Sequence, residues 1–516
     1  MRRGERTLSL WRLLVMLVAI GVTTSGSLFA ASIHHKDQST SSSTPWFGSY
    51  VDVTATPSYS FDSLSNGSNK EALLSFIVAS SANSCTPSWG SAYTLDQAGN
   101  SLDLDRRIAR LKQQGGHVAV SFGGQRNHEM AVDCTDDTKL YQAYSSVVNR
   151  YDVTTIDLDI EGSDLTNMPA AARRASALAK LQADRRHEGK KLAIWLTLPV
   201  SPQGLTPEGT DAVSALLSKK VDLAGVNVMT MDYGQSKDAG QSMEVASESA
   251  LNQTNRQLSI LYQNAGVHLN SATVWSKIGA TPMIGQNDVA KEIFTMADAH
   301  GFSQFVKNHG LGRVSMWSAN RDRTCGSNYT DLKTVSDSCS GIQQSGVSFA
   351  SILSAGFNGN MDSSAGVVTK PDTNSEVPKV DDPASSPYQI WIASGAYLQG
   401  TKVVWHHNVY EAKYYTQGDT PDNPVLQAYQ TPWQLVGPVL PGEKPIKQAT
   451  LPEGTYPDWA GTTVYNADQR VLFNGVPYQA KWYNVAQSPA AASSNPTGSP
   501  WSALTQSQIN DVTTTN

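Results

Sequence analysis

A (β/α)8 (TIM) barrel followed by two small all-β modules is the fold that this sequence of 516 residues predicts. Three observations point to it. Eight short apolar runs alternate with amphipathic stretches over residues 46–360, the pattern of repeated βα units around a parallel sheet. The composition then turns to Ser, Asp, Pro and Lys. Beyond that break a stretch starting at Tyr388 recurs, without a gap, at an offset of 68. An open doubly wound sheet is the alternative for the first part, but no Gly-rich dinucleotide loop follows any of the strands.

The elements follow in order. Arg2, Arg3, Arg6 and Arg12 precede the apolar run Leu13 to Ile20 and the small residues up to Ala31, so residues 1–31 read as an export signal. Leu28 and Phe29 spoil a small-x-small cleavage pattern, which leaves a retained signal anchor as the alternative. Thr23, Thr24 and Ser25 interrupt the ~20 apolar residues that a membrane-crossing helix needs. The protein is therefore expected outside the cell, released or tethered by an uncleaved leader. A Ser/Thr-rich spacer fills residues 32–45.

Strands are predicted near Tyr50 to Val53, Leu73 to Ala79, Val118 to Phe122, Thr155 to Glu161, Leu192 to Pro199, Val226 to Tyr233, Ile278 to Ile284 and Val314 to Ala319. Between them, Leu104, Ile108 and Leu111 share one helical face. Leu140, Tyr144, Val147, Val148 and Tyr151 share another. An exposed linker is predicted over 361–386, a first β module over 387–437, a Pro-rich linker over 438–454, a second module over 455–505 and a tail over 506–516. Tyr388, Trp391, Tyr397, Tyr410, Lys413, Tyr415 and Trp433 recur as Tyr456, Trp459, Tyr465, Tyr478, Lys481, Tyr483 and Trp501.

Lys and Arg number 39 against 45 Asp and Glu, a net charge of −6, so the footprint of a nucleic-acid binder is missing. No P-loop, His-Glu-x-x-His or Gly-x-Ser-x-Gly occurs, and neither a cofactor, a metal nor an obligate protein partner is expected. The four cysteines suit an oxidising compartment and match no metal-finger spacing. Of the three pairings, Cys85 with Cys134 and Cys325 with Cys339 is favoured, since the second pair closes a short loop worth about 3 kcal/mol.

The run Thr154-Thr-Ile-Asp-Leu-Asp-Ile-Glu-Gly162 carries the chemistry. Alternation along a strand puts Asp157, Asp159 and Glu161 on one face, which in a barrel is the interior. Three stacked acids cannot all ionise cheaply, so at least one keeps a proton near neutral pH. Glu161, the outermost, is placed as general acid. Aligned carboxylates that hold Ca²⁺ or Mg²⁺ are the minor alternative.

With these residues the chain resembles the family 18 glycoside hydrolases, the chitinase family, over the whole barrel. The matching motifs are Ser121-Phe-Gly123-Gly124, the acid run Asp157, Asp159 and Glu161, Met229-Thr-Met-Asp232, and Trp317 at the end of the eighth strand. Two positions depart: Thr154 replaces the first Asp of the acid motif, and Met231 replaces a Tyr that binds the substrate acetamide. Tyr233, two residues on, is expected to substitute. The resemblance implies a substrate-assisted retaining hydrolysis of β-1,4-linked N-acetylglucosamine polymers. Glu161 would be acid and base, Asp159 would orient the acetamide, Asp157 would hold Asp159, and Trp317 would floor the sugar site. Ser121, Gly123, Gly124, Met229 and Asp232 would complete it.

The repeats resemble chitin-binding modules of family 5/12, through Tyr-x-x-Trp, Tyr-x-Ala-Lys and a closing Trp. Each is expected to expose one ring of its pair, Tyr414 or Tyr415 and Trp482 or Tyr483, for carbohydrate binding, and to bury the other. Thr416-Gln-Gly418 fits the usual motif, whereas Asn484-Val-Ala486 departs from it. The partner implied is chitin or another N-acetylglucosamine polysaccharide. The competing readings are a noncatalytic chitin-binding or adhesion protein with an inactive barrel, and an endo-β-N-acetylglucosaminidase acting on glycoproteins.

Overall fold

The computed structural model describes residues 44–63, 70–327, 334–372, 379–445 and 448–514; the leader and nearly all of the first spacer lie outside them. The barrel strands are β1 (Trp46–Asp52), β2 (Glu71–Ala79), β3 (His117–Gly123), β4 (Thr155–Asp159), β5 (Ala193–Ser201), β6 (Leu223–Met229), β7 (Ile278–Thr281) and β8 (Arg313–Met316). Each pairs in parallel with the next, and β1 pairs with both β2 and β8, which closes the ring. The apolar runs thus mark the right eight strands. β4, β6, β7 and β8 stop earlier than their apolar runs do, because the chain turns into the loops of the carboxyl-end face.

Around the ring run α1 (Leu104–Gln113), α2 (Asp137–Tyr151), α3 (Met168–His187), α4 (Pro207–Ser218), α5 (Met243–Asn264), α6 (Met296–His309) and the short α7 (Phe349–Leu353). The α2 stripe is the clearest case of sequence dictating an element. Asp136 caps its start by accepting from Lys139 N, Asp152 ends it in the left-handed conformation, and Leu140, Tyr144, Val147, Val148 and Tyr151 are all buried. Each such side chain contributes about 1.5–3 kcal/mol of burial.

Two apolar layers result. Aliphatic and aromatic side chains fill the space between ring and helices, while a separate, largely aromatic cluster of Trp46, Tyr50, Leu73, Ala119 and Trp195 fills the barrel interior. Trp195 fits because β6 carries Gly225, where a Cβ would lie 2.4 Å from the indole. Met361 completes this cluster and is fully buried. The linker predicted from residue 361 is corrected accordingly. Met361–Ser364 is helical, Met361 N donates to Glu71 Oε2 at 2.9 Å, and Thr154 Oγ1 donates to Asp362 Oδ1 at 2.5 Å. The chain stays on the barrel as far as Asp372, whose carboxylate accepts from Asn270 N at 2.6 Å. One apolar anchor in a polar stretch is invisible to composition.

Both favoured disulfides are formed, Cys85–Cys134 with S–S 1.95 Å and Cys325–Cys339 with 2.04 Å.

The repeat is structural as well as textual. Strands Ala396–Tyr397, Lys402–Trp405, Asn408–Ala412, Thr416–Gln417 and Trp433–Pro438 have counterparts at Val464–Tyr465, Arg470–Phe473, Val476–Ala480, Asn484–Val485 and Trp501–Ala503. The cores correspond: Tyr397, Val403, Tyr410 and Trp433 in one, Tyr465, Val471, Tyr478 and Trp501 in the other. The predicted tail is instead a helix, Gln506–Thr514, whose Ile509 packs with Leu451, Leu472 and Leu504.

Candidate active site

β4 ends at Asp159, and Glu161 stands just beyond, at the mouth of a cavity of about 390 Å³ on the carboxyl-end face. Asp159, Glu161, Gly123, Met229, Asp232 and Trp317 all line it. Six of the residues expected from sequence therefore meet in one place. Gly123 is required by close approach: its φ is +104°, a Cβ there would lie 2.0 Å from the Asp159 carbonyl oxygen, and Gly124 N donates to that oxygen at 3.0 Å. Gly124 lies against the Phe76 ring, outside the wall of the main cavity.

The three acids differ in surroundings. Asp157 is fully buried and ion-paired with Arg313 at 2.7 Å. Asp159 is buried above it and shares a hydrogen bond with Glu161. Its Oδ1 has no partner among the described residues. Burial, then the charges of Glu161 and Asp157, hold Asp159 well above the usual carboxylate range, against the opposing pull of Arg313. Burial, followed by the charge of Asp232, pushes Glu161 from 4.5 up to about 7. Asp232 is itself raised, chiefly by burial. The pair Asp159–Glu161 thus retains a proton at neutral pH at the edge of a hollow.

Trp317 is half-buried, and Phe76 stacks on it with ring centroids 5.5 Å apart and an interplanar angle of 18°. Tyr50 flanks Trp317 at 6.0 Å. Together they make an apolar floor suited to a pyranose face.

Three expectations need correction. Tyr233 does not reach the cavity. β6 ends at Met229 and Asp232 turns at φ +51°, so strand alternation no longer applies, and the Tyr233 hydroxyl bonds Ser247 on α5 at 3.0 Å. Met231 itself lines the wall. Ser121 faces Asp157 rather than the cavity, donating to Oδ2 at 2.7 Å from a fully buried position. Finally, both rings of each module pair are exposed: Tyr414 and Tyr415 at 50% and 55%, Trp482 and Tyr483 at 44% and 63%. The strands end at Ala412 and Ala480, just before the rings, so alternation fails there too.

Thr154 lies at the opposite end of β4 from Glu161 and bonds Asp362, so its departure from the acid motif leaves the cavity untouched. Sequence reasoning missed Tyr50, Phe76, Thr197 and Arg313. Tyr50 shares strand parity with Trp46 on β1 and was open to the same alternation rule. Arg313 opens its strand, where a charge reads as a loop residue.

Comparison with known proteins agrees with this geometry. Residues 53–284 match the family model Glycosyl hydrolases family 18. The chain is 36% identical over 285 residues to a "Probable bifunctional chitinase/lysozyme" of Escherichia coli (strain K12), covering 55% of this chain and 31% of that protein. It is 35% identical over 279 residues to "Endochitinase 11" of Metarhizium anisopliae, covering 54% and 52%. The chain thus spans about half or less of the length of these curated relatives. Among solved structures, catalytic site mutants of active domain 2 of a thermostable chitinase from Pyrococcus furiosus, complexed with chito-oligosaccharides, superpose with TM-score 0.51 at 25% identity, covering 62% of this chain and 97% of that one. The barrel of this chain, with its acid pair at the end of β4, is thus similar to the glycosyl hydrolases family 18 over residues 53–284.

Proposed function

We propose that the protein is an exported chitinase that hydrolyses β-1,4-linked N-acetylglucosamine polymers with help from the substrate's own acetamide. The observation that carries this reading is the Asp159–Glu161 pair, Asp159 buried and Glu161 half-buried, with an Asp159 oxygen that has no partner among the described residues, beside an aromatic floor. Glu161 protonates the glycosidic oxygen; the 2-acetamido carbonyl attacks the anomeric carbon; Asp159 Oδ1 accepts the acetamide N–H and stabilises the oxazolinium. Glu161 then takes a proton from the incoming water, and the sugar keeps its configuration. With Met231 in the wall, no tyrosine hydroxyl from this loop assists the acetamide carbonyl.

A polymeric substrate is supported by two hollows that adjoin the central cavity. One shares Asp52, Thr54, Arg126 and Asp337 with the central cavity, the other Gln125, Arg126, Asn127 and Glu161. The cleft therefore extends beyond the central cavity. The exposed ring pairs of the two β modules support attachment to the same insoluble polymer, with stacking on sugar faces as the means. Export is supported by the basic-then-apolar leader and by the two disulfides.

Product release from colloidal chitin and from a high-mannose glycoprotein, with Glu161→Gln alongside, tests the reading. Soluble oligomers from chitin alone, abolished by the substitution, are expected. Release only from the glycoprotein would favour glycan removal, and none from either would favour a noncatalytic chitin binder.

A further inference from the structure

The lowest of the three acids is the most heavily donated of them. Asp157 Oδ1 accepts from Thr197 Oγ1 and Arg313 Nη1, both at 2.7 Å. Oδ2 accepts from Ser121 Oγ at 2.7 Å and Tyr50 OH at 2.8 Å. A carboxylate has about four lone-pair positions, and all four face a donor. Those donors are themselves oriented. Tyr50 OH accepts from Arg313 Nη2 at 2.8 Å, and Thr197 Oγ1 accepts from Asn227 Nδ2 at 3.0 Å, so the single proton of each hydroxyl points at Asp157. Arg313 Nε donates to Ser315 Oγ at 2.7 Å, and its guanidinium lies 5.3–5.5 Å from the ring centroids of Trp46, Tyr50 and Trp195. Both side chains of the ion pair are 0% exposed. One layer up, Asp159 has Glu161 as partner and one oxygen without a partner among the described residues.

We propose that Arg313 is a positioning residue that anchors the Asp157 carboxylate beneath Asp159, so that the working proton of the site stays between Asp159 and Glu161 throughout turnover. This rests on the hydrolase reading above and specifies how its proton is kept. An acceptor whose lone pairs all face donors takes a proton only by breaking one of those bonds, and here the bond would be to a guanidinium inside the barrel. Asp159 is thereby held toward Glu161 and not toward Asp157. The balance closes on the upper pair: the proton leaving Glu161 goes to the departing oxygen, and the water that opens the oxazolinium returns one.

The charged and titratable groups that face this pair are Asp157, Arg313 and the neutral phenol of Tyr50 from below, and Asp232, Asp164 and Asp288 around Glu161. A charge cycle tests the assignment. For wild type, D157N, R313Q and D157N/R313Q, kcat/KM on chitin hexamer and thermal midpoint are followed from acid to alkaline pH. All three variants lose turnover, because each removes part of the array, so the position of the alkaline limb is the readout. D157N leaves a bare guanidinium under Asp159 and moves the limb down by about one pH unit or more. R313Q leaves a bare carboxylate and moves it up by a similar amount. The double variant, neutral again, returns to within about half a unit of wild type. Shifts of one sign in both single variants, or a double variant that keeps the displacement of D157N, would overturn the proposal. If wild type itself releases nothing from hexamer, the hydrolase reading fails, but the pH at which the thermal midpoint falls carries the same three shifts and still decides on Arg313. If the single variants do not fold, Arg313→Lys must keep the wild-type limb, and its displacement counts against the assignment.

Discussion

Glu161 owes its proton near neutral pH to where β4 stops. Two residues beyond Asp159 it is still largely buried, with Asp232, Asp164 and Asp288 crowding it, and burial is the largest cause of its rise to about 7. The sign of the consequence is fixed. An acid whose folded pKa is raised contributes stability that is present below 4.5 and lost as pH climbs through 7. Glu161→Gln should therefore leave thermal stability unchanged near pH 4 and raise it at pH 8, by at most about 3 kcal/mol; equal midpoints at both pH values would contradict this. For activity, kcat/KM should fall about tenfold per unit above pH 7, because only the protonated form donates. A pH–rate profile on chitin hexamer checks it. At this scale the acid run was readable because alternation along a strand is rigid. Tyr233 was not, because one left-handed residue, Asp232, redirects the chain.

Elements were legible in kind but not in extent. Apolar runs located eight strands, yet an apolar run does not distinguish the last paired residue from a loop residue that stays buried, as with Ile160, Tyr233 and Ala319. The repeat offers a sharper case. Gly418 and Ala486 occupy equivalent positions, and both have positive φ, 85° and 59°. An L-residue with a Cβ pays about 1–2 kcal/mol there, which glycine avoids. Ala486→Gly should thus stabilise the second module by about 1 kcal/mol, less the extra entropy of a glycine in the unfolded chain. Denaturant unfolding followed by Trp fluorescence reads this; a destabilised variant would show that the loop is relaxed as it stands.

At the scale of the whole molecule, the composition break and the offset of 68 separated barrel from repeats, whereas the anchoring of Met361 and the helix Gln506–Thr514 escaped notice. Both are held by tertiary burial of one or two apolar side chains, which local sequence does not encode. Under the proposed function, the paired modules bear on substrate form. Two linked weak binders raise local concentration on a solid without altering the cleft. Replacing Tyr414 and Tyr415 by Ala should lower retention on insoluble chitin several-fold while hexamer turnover stays within about twofold. The same change at Trp482 and Tyr483 should cost less, since the Asn484-Val-Ala486 loop departs from the repeat. Pull-down on chitin powder beside a soluble assay separates the two effects. The most direct measurement for the account as a whole is the anomeric form of freshly cut chitin hexamer, followed by proton NMR before mutarotation. Attack by the sugar's own amide requires the β form to accumulate first; the α form appearing first would mean that water attacks directly and that the buried acid pair does other work.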